Sequence, residues 1–266
     1  MVSTTFLIAV LPLAMAAQSS PPGPEVQAQT FRPDTKKDGL ATPASVKSET
    51  TVTPELRGDI FMARKMYREA IDAYKSSPET AVLVNKTGIA YHQMMQLDTA
   101  KKYYERAIKL NKKYPEAYNN LGTVYYAGKS YRRAISQYNK ALRITPDSAS
   151  IWSNLGTAEF ARKKYDEAMK CYEKAMALDP DVFEHHSSAG VLLQERSVEE
   201  RAKFHYYQAK LYAKKGMNDR ALLYLRKALE EGLKEERDKI RAEPDFEGLR
   251  DVPEFKEMLE THQRVL

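Results

Sequence analysis

Histidines, a single cysteine and a few regularly spaced amides are the residues from which this 266-residue chain would have to build any chemistry. His185 and His186 are adjacent, so on a helix their side chains diverge by about 100° and cannot both face one metal ion. The other histidines, His92, His205 and His262, stand far from them in the chain, and no metal site is expected. Cys171, the only cysteine, excludes an intramolecular disulfide and any cysteine-based zinc or iron–sulfur centre. It precedes Tyr172 on an apolar helical pattern with no base at a useful spacing, which reads as an inert, partly buried thiol. No glycine-rich phosphate loop, Gly-x-Ser-x-Gly elbow or His-Glu-x-x-His helix occurs. The carboxylate pairs Glu199-Glu200 and Glu230-Glu231 read as solvated helix faces. The expectation is a chain that is not an enzyme and holds neither cofactor nor metal.

What remains is amide chemistry at a fixed step. Lys86, Asn120, Asn154 and Ser188 each stand two residues before a glycine, and those glycines, Gly88, Gly122, Gly156 and Gly190, are 34 residues apart. A primary amide both donates and accepts, so amides in a column can hydrogen-bond the backbone of an extended peptide with little sequence selectivity. Lys86 would extend that column as a partner for a carboxylate.

The same step governs the packing residues. Ala100, Ala134, Ala168 and Ala202 are 34 apart, as are Tyr104, Tyr138, Tyr172 and Tyr206, and Ala107, Ala141, Ala175 and Ala209. Leu121-Gly122 and Leu155-Gly156, Tyr118 and Trp152, and Pro146 and Pro180 complete the pattern. Within one unit, Leu121, Val124 and Tyr125 recur at helical spacing, then Ala134, Ile135, Tyr138, Ala141 and Leu142, with Ala127-Gly128-Lys129-Ser130 between them. Each unit is therefore a helical hairpin. Gly122 and Ala134 allow the paired helices to approach closely, Tyr138 and Trp152 are expected to fill the wedge to the neighbouring unit, and the prolines stop the second helices.

The segment Ala117-Tyr-Asn-Asn-Leu-Gly-Thr-Val-Tyr125 … Ala134-Ile-Ser-Gln-Tyr-Asn-Lys-Ala141 … Pro146 resembles the tetratricopeptide repeat. The resemblance spans roughly residues 51–235. It implies an all-α fold, a right-handed α-solenoid of such hairpins, with units at about 51–80, 81–114, 115–148 and 149–182. The flanks are less regular, as end units of a stack usually are. Gly58, Ala70 and Tyr74 repeat the offsets, but Gly58 precedes Gly88 by only 30 residues, so the first unit has a short second helix ending near Pro78. Ala209, Ala221, Leu225 and Ala228 form a copy out of register with the glycine series. Residues 183–201 then read as a partial unit or extra helix before a unit at 202–235, and a helix over 200–215 has possible partners on both sides. Residues 236–266 are expected to cap the stack, with Phe246, Leu249, Phe255 and Leu259 on one side.

The resemblance also implies where a ligand would lie, since first helices of successive hairpins line a concave groove in this family. The expected groove residues are Lys86, Asn119, Asn120, Thr123, Tyr126, Asn154, Thr157 and Phe160, with Asn85 and Ser153 flanking the column. The family's carboxylate clamp needs basic residues where this chain has Asn85 and Ser150, so gripping of chaperone C-termini is not expected.

The N-terminus reads as an address. Phe6 to Ala17 is apolar and Ala14-Met15-Ala16 offers a signal-peptidase pattern, although no basic residue precedes it. Residues 1–17 are expected to be a signal peptide cleaved near Ala16 or Ala17, and 18–53 a Pro-rich disordered spacer. Seven of the 13 prolines fall in the first 54 residues. The protein would then be periplasmic or secreted. No later run approaches the 18 or so apolar residues of a membrane helix, so the body is expected to be soluble. The net charge of +6 lies in the repeats, where Lys101-Lys102, Arg132-Arg133 and Arg162-Lys163-Lys164 fall near the turns between paired helices. Peripheral contact with an anionic surface follows from them if they act, and nucleic acid is not expected. The reading is a noncatalytic scaffold for a protein or peptide partner. The alternative is a structural subunit of an envelope assembly or secretion complex that docks through its convex face or end repeats.

Overall fold

The computed structural model describes residues 52–183 and 197–260. The proposed signal peptide, the spacer through residue 51, His185, His186, Ser188, Gly190 and His262 lie outside them, as does most of the 183–201 segment. The described residues belong to one unit, 50–266, and are all-α. Its helices are α1 (Pro54–Ala63), α2 (Tyr67–Lys75), α3 (Ala81–Gln93), α4 (Leu97–Leu110), α5 (Pro115–Ala127), α6 (Tyr131–Ile144), α7 (Ala149–Ala161), α8 (Tyr165–Leu178), α9 (Val198–Lys214), α10 (Asn218–Glu230), α11 (Arg237–Ala242), a 3₁₀ helix (Pro244–Leu249) and α12 (Pro253–Glu260).

The two helices of a hairpin differ in how much they bury. The second helices α4 and α6 have one apolar face: only Ala134, Tyr138, Ala141 and Leu142 of α6 are buried. The first helices are covered on several sides, and α7 buries Ile151, Ser153, Asn154, Leu155, Gly156, Thr157, Ala158 and Phe160. A helix wedged between its partner and the preceding hairpin has little solvent face left, so its apolar residues spread around it. α1–α2, α3–α4, α5–α6, α7–α8 and α9–α10 pack as hairpins, and through α8 each hairpin also packs on the next. Pro54 and Pro115 open α1 and α5, and Thr80 caps α3 by accepting from the Leu83 N–H at 3.2 Å.

Each hairpin turns through three residues, the middle one in the left-handed region: Lys65, Met95, Lys129, Lys163 and Gly216, at φ 59°, 60°, 55°, 61° and 71°. Only Gly216 lacks the Cβ that makes this conformation cost about 1–2 kcal/mol.

Close approach within a hairpin rests on one pairing. A Cβ at Gly58, Gly88, Gly122 or Gly156 would stand 2.2, 2.7, 2.5 or 2.6 Å from a ring carbon of Tyr74, Tyr104, Tyr138 or Tyr172. Tyr138 therefore lies across Gly122 of its own hairpin and does not fill the wedge to the next, because the hole left by the glycine is where its ring fits. The seam to the next unit is closed by Leu142 with Ile151 and Leu155. Trp152 is half-buried there, its indole N–H donating to the Pro146 carbonyl at 2.8 Å and the Lys174 ammonium 4.3 Å from its ring.

The last hairpin solves the problem with other residues. Ala209 takes the glycine's place, Leu225 takes the tyrosine's sixteen residues on, and both are fully buried. Its direction also differs. Tyr207 stacks on Tyr165 at the start of α8, with centroids 5.1 Å apart, while Lys214 pairs with Glu173 farther along at 2.6 Å. α9 thus runs parallel to α8, whereas the connected helices before it alternate in direction. Phe160, Tyr172, Phe183 and Phe204 fill this seam edge to face, at centroid distances of 5.3–5.8 Å. Beyond it, Ile240, Phe246, Leu249, Phe255 and Leu259 are buried, the 3₁₀ helix lying on α9 and α12 on α10. Lys210 ties this cap down through Glu243 and Asp245, at 3.0 and 3.3 Å.

Candidate functional site

The amides of the first helices form a cross-linked column. Asn120 on α5 donates from Nδ2 to Oδ1 of Asn85 on α3 at 3.0 Å, and Asn154 on α7 donates to Oδ1 of Asn119 on α5 at 2.9 Å. Two adjacent residues on one helix point about 100° apart, so α5 reaches backwards with Asn120 and forwards with Asn119. Asn85 in turn donates to the Tyr114 hydroxyl at 3.4 Å. At the N-terminal end Lys86 bridges the same gap with charge, its Nζ 2.7 Å from both Glu55 and Asp59 of α1. Burial works against the ammonium, but these carboxylates outweigh it and raise its pKa. Lys86 was expected to grip a ligand's carboxylate; it already holds two from its own chain.

Each link uses one edge of an amide and leaves the other. Asn119 Nδ2 and the Oδ1 atoms of Asn120 and Asn154 have no partner among the described residues, and none is sealed from solvent. The neighbours therefore orient donor and acceptor atoms that a ligand backbone can meet. Four other expected groove residues face inward. Thr123 and Thr157 are buried, their hydroxyls accepting from Tyr138 at 3.4 Å and Tyr172 at 3.3 Å. Tyr126 and Phe160 are buried as well, packed against Tyr131 and Tyr165 at 5.3 and 5.0 Å. The helical step that put them beside the column also turned them into the hairpin.

Burial pushes the Cys171 thiol up to about 11, so it is protonated at neutral pH. His205 lies in the α9–α10 interface, its Nδ1 3.0 Å from Glu231, which also accepts from Arg201 at 3.2 Å; burial lowers its pKa despite that carboxylate. Among the described residues no three His, Cys, Asp or Glu side chains converge as metal ligands, and no described helix is long and apolar enough to cross a membrane.

One feature escaped the sequence reading. At the turn edge of the third and fourth hairpins a cleft of ≈ 180 Å³ is lined by Tyr126, Tyr131, Phe160 and Tyr165, with Lys129, Lys163, Lys203 and Glu200 among its polar residues. Lys129 and Lys163, and Tyr131 and Tyr165, obey the 34-residue step and were a legible signal. Lys203 comes from α9, which joins them only because α9 runs parallel to α8.

A tetratricopeptide repeat model matches residues 149–182, and a TPR repeat model matches 88–129 and 122–159. Residues 88–182 of the chain are tetratricopeptide repeats (TPRs). The hairpins α1–α2 and α9–α10 lie outside the matched segments; α1–α2 keeps the glycine–tyrosine pairing and α9–α10 has Ala209 and Leu225 in its place. Among solved structures the TPR chain resembles MamA, 23% identical over 73% of this chain and 96% of that one, with a TM-score of 0.46. It also resembles YrrB, described as a TPR protein with an unusual peptide-binding site, at 24% identity, 47% and 67% coverage and a TM-score of 0.43. A third is the first TPR of Spaghetti (RPAP3) bound to the HSP90 peptide SRMEEVD, at 28% identity, 40% and 83% coverage and a TM-score of 0.39. No curated protein matches the chain.

Proposed function

We propose that this TPR protein is a noncatalytic scaffold that binds protein partners outside the cytoplasm, holding an extended segment along the first helices of α3, α5 and α7. The observation that carries this reading is the half-used amide column, in which Asn120 is fixed on Asn85 and Asn154 on Asn119 while Asn119, Asn120 and Asn154 each keep one edge without a partner among the described residues. Such a row recognises backbone, which repeats with itself, and so suits a solenoid whose units repeat too. The test is binding of an array of extended peptides to wild type and to the Asn120→Ala, Asn154→Ala double variant. Loss of binding with retained helicity supports the groove; undiminished binding overturns it. Export is tested separately, by N-terminal sequencing of the protein recovered from outside the cytoplasm. A mature start near residue 17 or 18 is expected, and a start at Met1 in the cytoplasm removes that part of the reading.

A second reading, docking through an end repeat, has one observation in its favour. On α1 of the N-terminal hairpin, Leu56 and Ile60 are 51 and 38% exposed at i and i+4, and Val52 just before the helix is 44% exposed. End units of a solenoid usually present a polar outer face, and this one presents an apolar stripe. A Leu56→Glu variant that loses complex formation while the amide variant keeps it would favour this reading.

A further inference from the structure

The cleft at the turn edge is chemically unlike the amide column. Its walls are aromatic: Tyr126 and Phe160 are buried, and Tyr131 and Tyr165 are half-exposed. Three lysines line it, and Lys129, Lys163 and Lys203 make no ion pair with any described residue. Lys203 is held in place, its ammonium 4.3 Å from the Tyr165 ring, while Tyr165 is braced by Tyr207. Lys129 and Lys163 sit at left-handed backbone positions where glycine is favoured. A basic shelf of Ser130, Arg132, Arg133 and Arg162 adjoins the cleft through Lys129 and Tyr131.

We propose that this cleft binds an acidic segment of a partner protein, with an apolar side chain seated on the aromatic walls and flanking carboxylates on Lys129, Lys163 and Lys203. Charge complementarity selects the anion: the described lining holds three lysines against one carboxylate, Glu200. Glu200 selects a peptide over other anions. It takes one hydrogen bond, from the Ser197 N–H at 3.3 Å, and can accept another. A peptide backbone supplies N–H donors alongside carboxylates, whereas a phosphodiester chain offers only acceptors to that edge. The volume, ≈ 180 Å³, suits one large side chain. This inference rests on the protein-binding reading above but not on the amide column.

The experiment is fluorescence anisotropy on the full chain with a labelled twelve-residue peptide alternating Glu and Leu, and a Gln–Leu control. Three proteins are compared: wild type, the Lys129→Gly, Lys163→Gly double variant and Lys203→Gln. Glycine accepts the left-handed turn, so the double variant is expected to keep or raise its melting temperature while losing the charges. The acidic peptide is expected to bind wild type, to weaken about tenfold or more in both variants, and to weaken with added salt. Equal binding of the control peptide, or undiminished binding by both variants, overturns the proposal. So does recruitment of the lysines to phosphatidylserine vesicles with no peptide binding, or a concentration-dependent dimer in sedimentation that the lysine variants abolish. The Asn120→Ala, Asn154→Ala protein separates the two sites: if it loses the acidic peptide and the lysine variants do not, the groove survives and the cleft fails.

Discussion

The four N-terminal hairpins and the fifth, with its cap, use the same hairpin in two regimes of packing. In the first four, a missing side chain is the key part: Gly58, Gly88, Gly122 and Gly156 receive Tyr74, Tyr104, Tyr138 and Tyr172. Polar links, Asn120 to Asn85 and Asn154 to Asn119, then register one hairpin on the next. In the fifth, Ala209 and Leu225 replace the pair, and the seam to α8 is filled by aromatic rings, among them Phe160, Tyr172, Phe183 and Phe204. Within the first four hairpins a ring fills the space left by a glycine, while at the α8–α9 seam large rings meet one another edge to face. The difference teaches that one kind of hairpin can be held by a glycine–tyrosine pair with amide links or by an alanine–leucine pair with aromatic rings at its seam, and the lysine cleft lies where the two meet.

The comparison can be broken most directly at the joint. Phe204→Ala removes a ring that touches Phe160 and Tyr172 and is expected to cost about 3–5 kcal/mol. In a nearest-neighbour stack it should also uncouple the fifth hairpin and cap, splitting thermal unfolding into two steps by calorimetry. One cooperative transition with a small loss would mean that the joint is not a separate structural element.

The second test trades one regime for the other. Gly122→Ala puts a Cβ 2.5 Å from the Tyr138 ring and is expected to cost about 1–3 kcal/mol in urea unfolding. Adding Tyr138→Leu recreates the Ala–Leu pair of the last hairpin and should recover part of that loss. If the double variant is no better than the sum of the singles, the two pairings are not interchangeable.

Smaller effects are expected at the polar links. Asn119→Ala should cost about 1 kcal/mol by removing the acceptor for Asn154. A double-mutant cycle with Asn154→Ala should show coupling of about 0.5 kcal/mol or more, and additive values would show the link to be energetically idle.

The gentlest probe is pH. Burial lowers the pKa of His92 in the second hairpin and of His205 in the fifth. In the unfolded chain both titrate near 6.5, so below about that pH the unfolded state takes up protons that the folded state resists. Stability is therefore full above that range and is lost as pH falls through it. His205→Gln should flatten the acid dependence of the fifth hairpin's melting and leave the first four unchanged, while His92→Gln should do the reverse.

Much of this was legible in the residues. The 34-residue step is a direct print of helix contact, since the small residues and tyrosines that carry it meet, Gly122 on Tyr138 and Gly156 on Tyr172. The amide column was legible as a column. That Asn120 and Asn154 bind Asn85 and Asn119, and that Lys86 holds Glu55 and Asp59, was not. The pattern shows that polar groups share a face but not how far apart successive faces lie. Tyr138 shows the same limit, since its step is equally compatible with packing inside a hairpin or between hairpins.

The sequence by itself therefore determined the family, the helical hairpin as its unit and the face that carries the amides, because these follow from local period and residue size. Only the tertiary structure decided that α9 pairs with α10 and runs parallel to α8. Ala202, Tyr206 and Ala209 continue the second-helix columns, while Ala209, Ala221 and Leu225 define a first helix and its partner, so α9 satisfies two registers at once. Burial of Phe204, Tyr206 and Tyr212 on opposite sides of one helix favours both, and the choice falls to contacts far apart in sequence: Tyr207 on Tyr165, Lys214 on Glu173 and Lys210 on the cap.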